Sequence, residues 1–213
     1  MSGIIDMVLA SIRAKVPAAN ATVRTNPGPS GQDSLMVAPE SVADVMRVIH
    51  DEHGFDFLSN VTGVDWPDPA LAEKVAVIAE GDADAEGDAK ADGEETPAEC
   101  GFLEVVYHLY HTSERKGPLV VRSRTKDRGE GAKIASVVSV YKSAEFQERE
   151  IYDLYGVIFT GHPDLRRILM WDEFVDHPMR KDYVAPDDYE YEPTPHAAVI
   201  EKAAQHYPAP DAD

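Results

Sequence analysis

Apolar residues recur at helical spacing at the start of the chain. Ile5, Val8, Leu9, Ile12 and Val16 predict a helix over 3–16, which Pro17 ends. The NPGPSG stretch at 26–31 reads as a turn-rich loop, and Ser34 to Val37 as a short strand. Val42, Val45, Met46 and Ile49 form the stripe of a second helix over 39–53, with Gly54 placed as a left-handed C-terminal cap. Phe55 to Trp66 reads as a strand. Phe102 to His111 alternates: Leu103, Val105, Tyr107 and Leu109 take one face, and Glu104, Val106, His108 and Tyr110 the other. A turn at SERKGP then predicts a hairpin to a strand over 119–126. Ser136 to Tyr141 fits either helix or strand. Gln147 to Tyr155 reads as a helix with Gln147, Ile151, Leu154 and Tyr155 on one side, stopped by Gly156, and Val157 to Phe159 as a short strand. Helices mixed with antiparallel strands, without regular βαβ alternation, predict an α+β fold.

Composition narrows the classes of function. The chain has 213 residues, 43% of them hydrophobic, which suits one domain with a sizeable core. Its formal net charge of -19 argues against nucleic acid and against an anionic membrane surface. Nine acids and one lysine lie between Glu80 and Glu99, a net of -8. That stretch has little to bury and predicts a disordered loop inserted between two strands; it lacks the spacing of an EF-hand calcium loop. One basic patch opposes the trend: seven Lys and Arg stand against three acids from Glu114 to Lys133, with Arg122, Arg124 and Lys126 alternating onto one strand face. Cross-pairing with Glu104 is the plain reading, and a docking surface for an acidic partner the sharper one. The patch lacks the interleaved aromatics of a nucleic-acid surface.

A single cysteine, Cys100, excludes a disulfide within the chain and cannot hold an iron–sulfur cluster, which normally needs four thiolates. Apolar runs fall short of the ~20 residues of a membrane helix, and the N-terminus lacks the pattern of a signal peptide. Membrane association is therefore expected to be indirect. No GxGxxG, Walker, nucleophile-elbow or CxxC motif appears.

The densest chemistry lies in EREIYDLYGVIFTGHPDLRRILMWDEFVDHPMRKDY, residues 148–183. Acids, arginines and His-Pro pairs alternate there with aromatics, so some charges must be buried in pairs. Glu148 and Glu150 are two apart on a helix and point about 200° from each other, which disfavours an acid/base pair. Glu145, Arg149 and Asp153 stand at i,i+4 spacing and predict ion pairs along the helix. Gly161 permits a bend, and Pro163 stiffens the chain after His162. Asp164 suits an Asx turn. Arg166 and Arg167 diverge as neighbours: one is expected to pair internally, with Glu148, Glu150 or Asp153, and the other to reach a partner. His162 and His177 are expected to make structural hydrogen bonds; with no HExxH face or Cys cluster, a metal site is not expected. His108 and His111 lie three apart on a strand and face opposite sides.

This ordered, nearly gapless run resembles the signature of the 30 kDa subunit family of respiratory complex I, the C subunits of NADH-quinone oxidoreductase. The residues that carry the resemblance are Glu148, Arg149, Glu150, Asp153, Gly156, Gly161, His162, Pro163, Asp164, Arg166 and Arg167, then His177, Pro178, Arg180, Lys181 and Asp182. A weaker resemblance covers 34–143; the acidic stretch and the C-terminal tail match nothing. Phe146 stands where the family often carries Trp, leaving an aromatic anchor but no indole N–H.

The resemblance implies a two-layer fold: a mixed, mostly antiparallel sheet with helices packed on it. It implies one domain over 1–183 and an extended, proline-rich acidic tail over 184–213. It also implies a peripheral scaffold subunit on the cytoplasmic side of a bacterial inner membrane. No catalytic, cofactor-binding or metal residue is expected on this chain. FMN, iron–sulfur clusters, NADH and quinone would sit on other subunits of the hetero-oligomer, and the D, B and I subunits would be its neighbours. Two alternatives remain: the equivalent scaffold of an energy-converting hydrogenase-type complex, and a stand-alone enzyme using the carboxylates and His162.

Overall fold

The computed structural model describes residues 2–26, 28, 31–69, 72 and 101–184. The acidic stretch 80–99, Cys100 and the tail beyond Val184 lie outside the described residues, as do the expectations placed on them.

Helix α1 spans Ser2–Lys15 and helix α2 Val42–His53, the latter entered through a 3-10 turn at Pro39–Ser41. Gly54 closes α2 in the left-handed region (φ 68°), its N–H bonded back to His50. The strands are β1 (Thr22–Arg24), β2 (Ser34–Val37), β3 (Phe57–Trp66), β4 (Phe102–His111), β5 (Lys116–Arg124), β6 (Lys133–Ala135) and β7 (Ile158–Thr160). Helix α3 spans Ala144–Tyr155 and ends at Gly156 (φ 79°). The sheet of five runs β1-β2-β5-β4-β3; β2 and β5 are parallel and the other neighbours antiparallel. A second, parallel pair joins β6 to β7. Among the described residues, helices α1, α2 and α3 on a mixed sheet make this an α+β fold.

Side-chain parity explains the layering. Leu103, Val105, Tyr107 and Leu109 on β4, Leu119 and Val121 on β5, and Leu35 and Val37 on β2 are all buried. They meet Ile5, Val8 and Ile12 of α1 and Val42, Val45, Met46 and Ile49 of α2 in one core. Helix α3 packs on β3. Gln147 Oε1 accepts from the Val61 N–H at 2.7 Å, and Tyr155 lies so close to Gly63 that an added Cβ would fall 2.7 Å from its ring.

Three expectations change in the structure, and two short strands are additional to them. Residues 136–141 form turns rather than helix or strand, because Ser136 leaves β6 by donating its N–H to Thr160 of the neighbouring β7. Strand β5 starts three residues early, at Lys116, and stops at Arg124. Lys126 therefore lies past the strand and meets Glu40 on the surface instead of extending the arginine face. Finally, β1 and β6, three residues each, carry too little pattern to be read from the chain.

Candidate functional site: a strap tied to the end of a helix

A helix leaves its last carbonyls without partners and its C-terminus electronegative. Here the segment 161–183, a strap laid along α3, supplies what the end of that helix lacks. The Asp153 carbonyl meets His177 Nδ1 at 3.0 Å and Arg167 Nη1 at 3.2 Å. The Leu154 carbonyl accepts from the Met179 N–H at 3.1 Å, and the Tyr155 carbonyl from Arg180 Nε at 2.7 Å. Gly156 makes this approach possible. An added Cβ there would stand 2.5 Å from His177 Nε2 and 2.6 Å from Arg180 Nη2, at a backbone angle that L side chains rarely take.

Asp153 is the hub. Its side chain is fully buried, and Oδ2 accepts three consecutive backbone N–H groups: Ile168 at 3.0 Å, Leu169 at 2.7 Å and Met170 at 2.8 Å. Its Oδ1 takes Arg167 Nη1 at 2.6 Å. Burial opposes the charge, but the three backbone donors and the guanidinium outweigh it, so the carboxyl sits below the usual carboxylate range. The i,i+4 ion pairs expected for Arg149 do not form. Arg149 is buried and donates instead to the carbonyls of Arg166 (3.2 Å) and Arg167 (3.1 Å), which face α3 because Asp153 has already turned the strap inward.

The two neighbouring arginines point to opposite sides. Arg167 points in, to Asp153. Arg166 points out, 66% exposed, and bonds Asp164 at 2.9 Å. Asp164 thus holds a side chain and makes no Asx turn; the backbone bond comes from His162, whose Nδ1 accepts the Asp164 N–H at 3.0 Å. With Nδ1 an acceptor, the Nε2 of His162 donates to the Glu145 carbonyl at 3.0 Å. The pairs His162-Pro163 and His177-Pro178 therefore bracket α3, one ring near its start and one at its end. Gly161 supplies the bend (φ 86°). Burial lowers the His177 pKa, so its ring stays neutral and donates through Nδ1.

The strap's far end is clamped to β3. Asp65 is buried and holds Arg128 through two bonds of 2.7 Å. Arg128 also binds Asp182 at 2.6 Å, and the Lys181 N–H donates to Asp65 at 2.7 Å. Sequence reasoning missed Asp65 and Arg128. The available signal was parity, since Asp65 shares the core-facing side of β3 with Val61 and Gly63. At the other end of α3, Glu148 is fully buried and accepts from Ser136 Oγ at 2.6 Å and the Val137 N–H at 2.8 Å. Glu150 is exposed, so the two acids of the ERE run point apart and share no site.

The strap in turn displays apolar groups. Leu169 is 56% exposed, Trp171 42%, Val175 86% and Met179 53%, with Phe146 of α3 exposed as well. Ion pairs inside and apolar side chains outside make a rigid, hydrophobic display. No group of three or more His, Cys, Asp or Glu among the described residues could hold a metal ion, and no helix among them is long and apolar enough to cross a membrane.

Residues 35–189 match the family described as "Respiratory-chain NADH dehydrogenase, 30 Kd subunit". The NADH-quinone oxidoreductase C subunit of Salinispora tropica is 33% identical over 183 residues, which are 85% of this chain and 62% of that protein. The NADH-quinone oxidoreductase C/D subunit of Bacteroides fragilis is 38% identical over 148 residues, 68% of this chain and 23% of the longer protein. The chain thus spans about a quarter of the C/D relatives and under two thirds of the Salinispora protein. Among solved structures, a chain of the membrane-bound sulfane sulfur reductase, an archaeal respiratory membrane complex, shares the fold. Its TM-score is 0.57 at 20% identity, covering 100% of this chain and 95% of that one. With the family match running from β2 through the strap, the chain belongs to the 30 kDa subunit family of the respiratory-chain NADH dehydrogenase.

Proposed function

We propose that this chain is a cofactor-free scaffold subunit of an NADH-quinone oxidoreductase, and that the strap is its docking face. It would sit in the peripheral arm, on the cytoplasmic side of a bacterial inner membrane. It would dock against the subunits that form the terminal cluster and the quinone site, with the D, B and I subunits as neighbours. Electrons would pass from NADH through FMN and iron–sulfur clusters to quinone on those other chains. One observation carries the reading: large apolar side chains stand exposed on a segment immobilised from beneath by Asp153, Arg167, Asp65 and Arg128. Exposed apolar groups of this size gathered on one segment mark an interaction surface. Arg166, outward and charged, would sit at the rim of the contact and help set orientation.

The test separates docking from folding. Leu169→Asp combined with Val175→Asp alters exposed side chains alone, so thermal unfolding of the purified chain should not change. A tagged chain carrying both should lose the oxidoreductase subunits that the unmodified chain retains in a native pull-down read by mass spectrometry. Arg166→Ala should weaken recovery less. A full set of subunits on the doubly substituted chain would defeat the proposal.

A further inference from the structure

The β4–β5 hairpin ends in a tip, residues 112–115, that is tied to the start of β3. Both oxygens of Asp56 bond Thr112: Oδ1 accepts its N–H at 2.9 Å, and Oδ2 accepts its hydroxyl. Glu114 turns to Lys116 at 2.5 Å and to His111 at 4.0 Å. Arg115 is left over. It is exposed, and its backbone stands in the left-handed region (φ 52°), where glycine rests freely and a longer residue is strained. Among the described residues, every other arginine reaches an acid or a backbone carbonyl; Arg115 alone reaches neither.

Beside Arg115 lies a shallow cleft of about 430 Å³. Phe57 and Tyr110 form its wall. They stand directly opposite each other on β3 and β4, with ring centroids 6.5 Å apart, and Phe57 is 48% exposed. Gly117 backs Tyr110 so closely that an added Cβ would fall 2.7 Å from its ring. Ser59, His111 and Thr112 complete the lining, with Arg115 and Lys116. Among the described residues no carboxylate lines the cleft, although the chain as a whole has a formal net charge of -19. Charge therefore favours an acid as the occupant. Shallowness favours a protein over a small molecule, which needs an enclosing pocket to bury most of its surface. An arginine beside aromatic rings is also the set that carries binding energy where proteins meet. The cleft is remote from the strap: Asp65, where the strap is clamped, lies eight residues farther along β3, about 27 Å away.

We propose that this hairpin cleft is a second docking point, and that it takes an acidic segment of a partner chain in which an Asp or Glu adjoins an aromatic side chain. The acid pairs with Arg115, and the ring packs on Phe57 and Tyr110. This rests on the reading above of the chain as an assembled subunit.

Photocrosslinking in the assembled complex tests it. p-Benzoylphenylalanine replaces Phe57 in a tagged full-length chain, cells are illuminated, and adduct peptides from the purified complex are sequenced by mass spectrometry. The same analogue at Val175 reports on the strap. Phe57 should give adducts with one acidic, aromatic-bearing segment of a partner chain. Arg115→Gly suits the left-handed turn; it should leave the midpoint of thermal unfolding unchanged or raised, while cutting that adduct yield on the order of tenfold. Adducts at Val175 but none at Phe57 overturn the proposal and leave the strap reading intact. Phe57 adducts with a segment lacking an acid, or with a second copy of this chain, also overturn it. So does an undiminished yield, or a lowered midpoint, in Arg115→Gly. Silence at both positions overturns the strap reading as well.

Discussion

Glu148 and Asp153 are both fully buried acids on α3, little more than one turn apart, yet their surroundings drive them in opposite directions. Glu148 has two neutral donors, Ser136 Oγ and the Val137 N–H, and burial pushes its carboxyl up to about 7. Beneath it lies the fully buried Tyr107, whose hydroxyl has no hydrogen-bond partner and whose ionisation burial also suppresses. Asp153 has three backbone donors and a guanidinium, and its carboxyl is held low. Burial alone does not decide whether an acid is charged; the number and charge of its donors do. Toward the start of α3, Glu148 forms a hydrogen-bonded joint inside the domain that gains or loses its proton near pH 7. Toward its end, Asp153 is a charged hub that shapes the surface.

Removing the hub should have the largest effect. Asp153→Ala leaves Arg167 without its partner and strands three inward N–H groups, at a cost of about 3–5 kcal/mol. Urea unfolding of the purified chain should show that loss, and a change under about 1 kcal/mol would mean that the strap is not organised by Asp153.

The joint should reveal itself through pH. Its folded pKa, about 7, lies above the ordinary value of 4.5. The folded state therefore keeps a proton that the unfolded chain releases. Stability from this group is complete below about 4.5 and is lost as pH rises toward about 7, about 3 kcal/mol in all. Glu148→Gln keeps an acceptor for Val137 and a donor for Ser136, and should flatten that slope. Parallel pH–stability curves for the two proteins would show that Glu148 ionises normally. Asp153 works in the reverse sense, losing its contribution only in acid, as pH falls through its lowered pKa.

Gly156→Ala probes the seam between the two ends and should do least. The left-handed backbone and the closeness of His177 and Arg180 predict about 2 kcal/mol of destabilisation, read as a lower midpoint of thermal unfolding. An unchanged midpoint would show that the strap yields at no cost.

Parts of this architecture were open to reading from residue order alone, and the reason is periodicity. β2 and β4 appear with the boundaries expected from their residues, and α2 with its stripe and glycine cap, because each carries a regular line of core-facing apolar side chains. What escaped depends on contacts distant in sequence. The parallel pairing of β2 with β5 joins residues that no local pattern links. Arg149 looked like an i,i+4 partner, but its carbonyl acceptors exist only after the strap has folded back. Residue order offers Glu148, Glu150 and Asp153 alike as internal partners for an arginine and does not tell which of the three are buried. Burial of charge follows from donors supplied by β6, its following turn and the strap, which hydropathy does not register.

The Lys181 amide closes on Asp65 across 116 positions of the chain. Leu169 and Trp171 accordingly stand in register only on a polypeptide whose first and last thirds have already found each other. A nascent or damaged copy would present the same residues out of place. If the strap is the docking face proposed above, recruitment into a larger assembly would double as inspection, with a single carboxylate on an early strand standing guarantor for the whole.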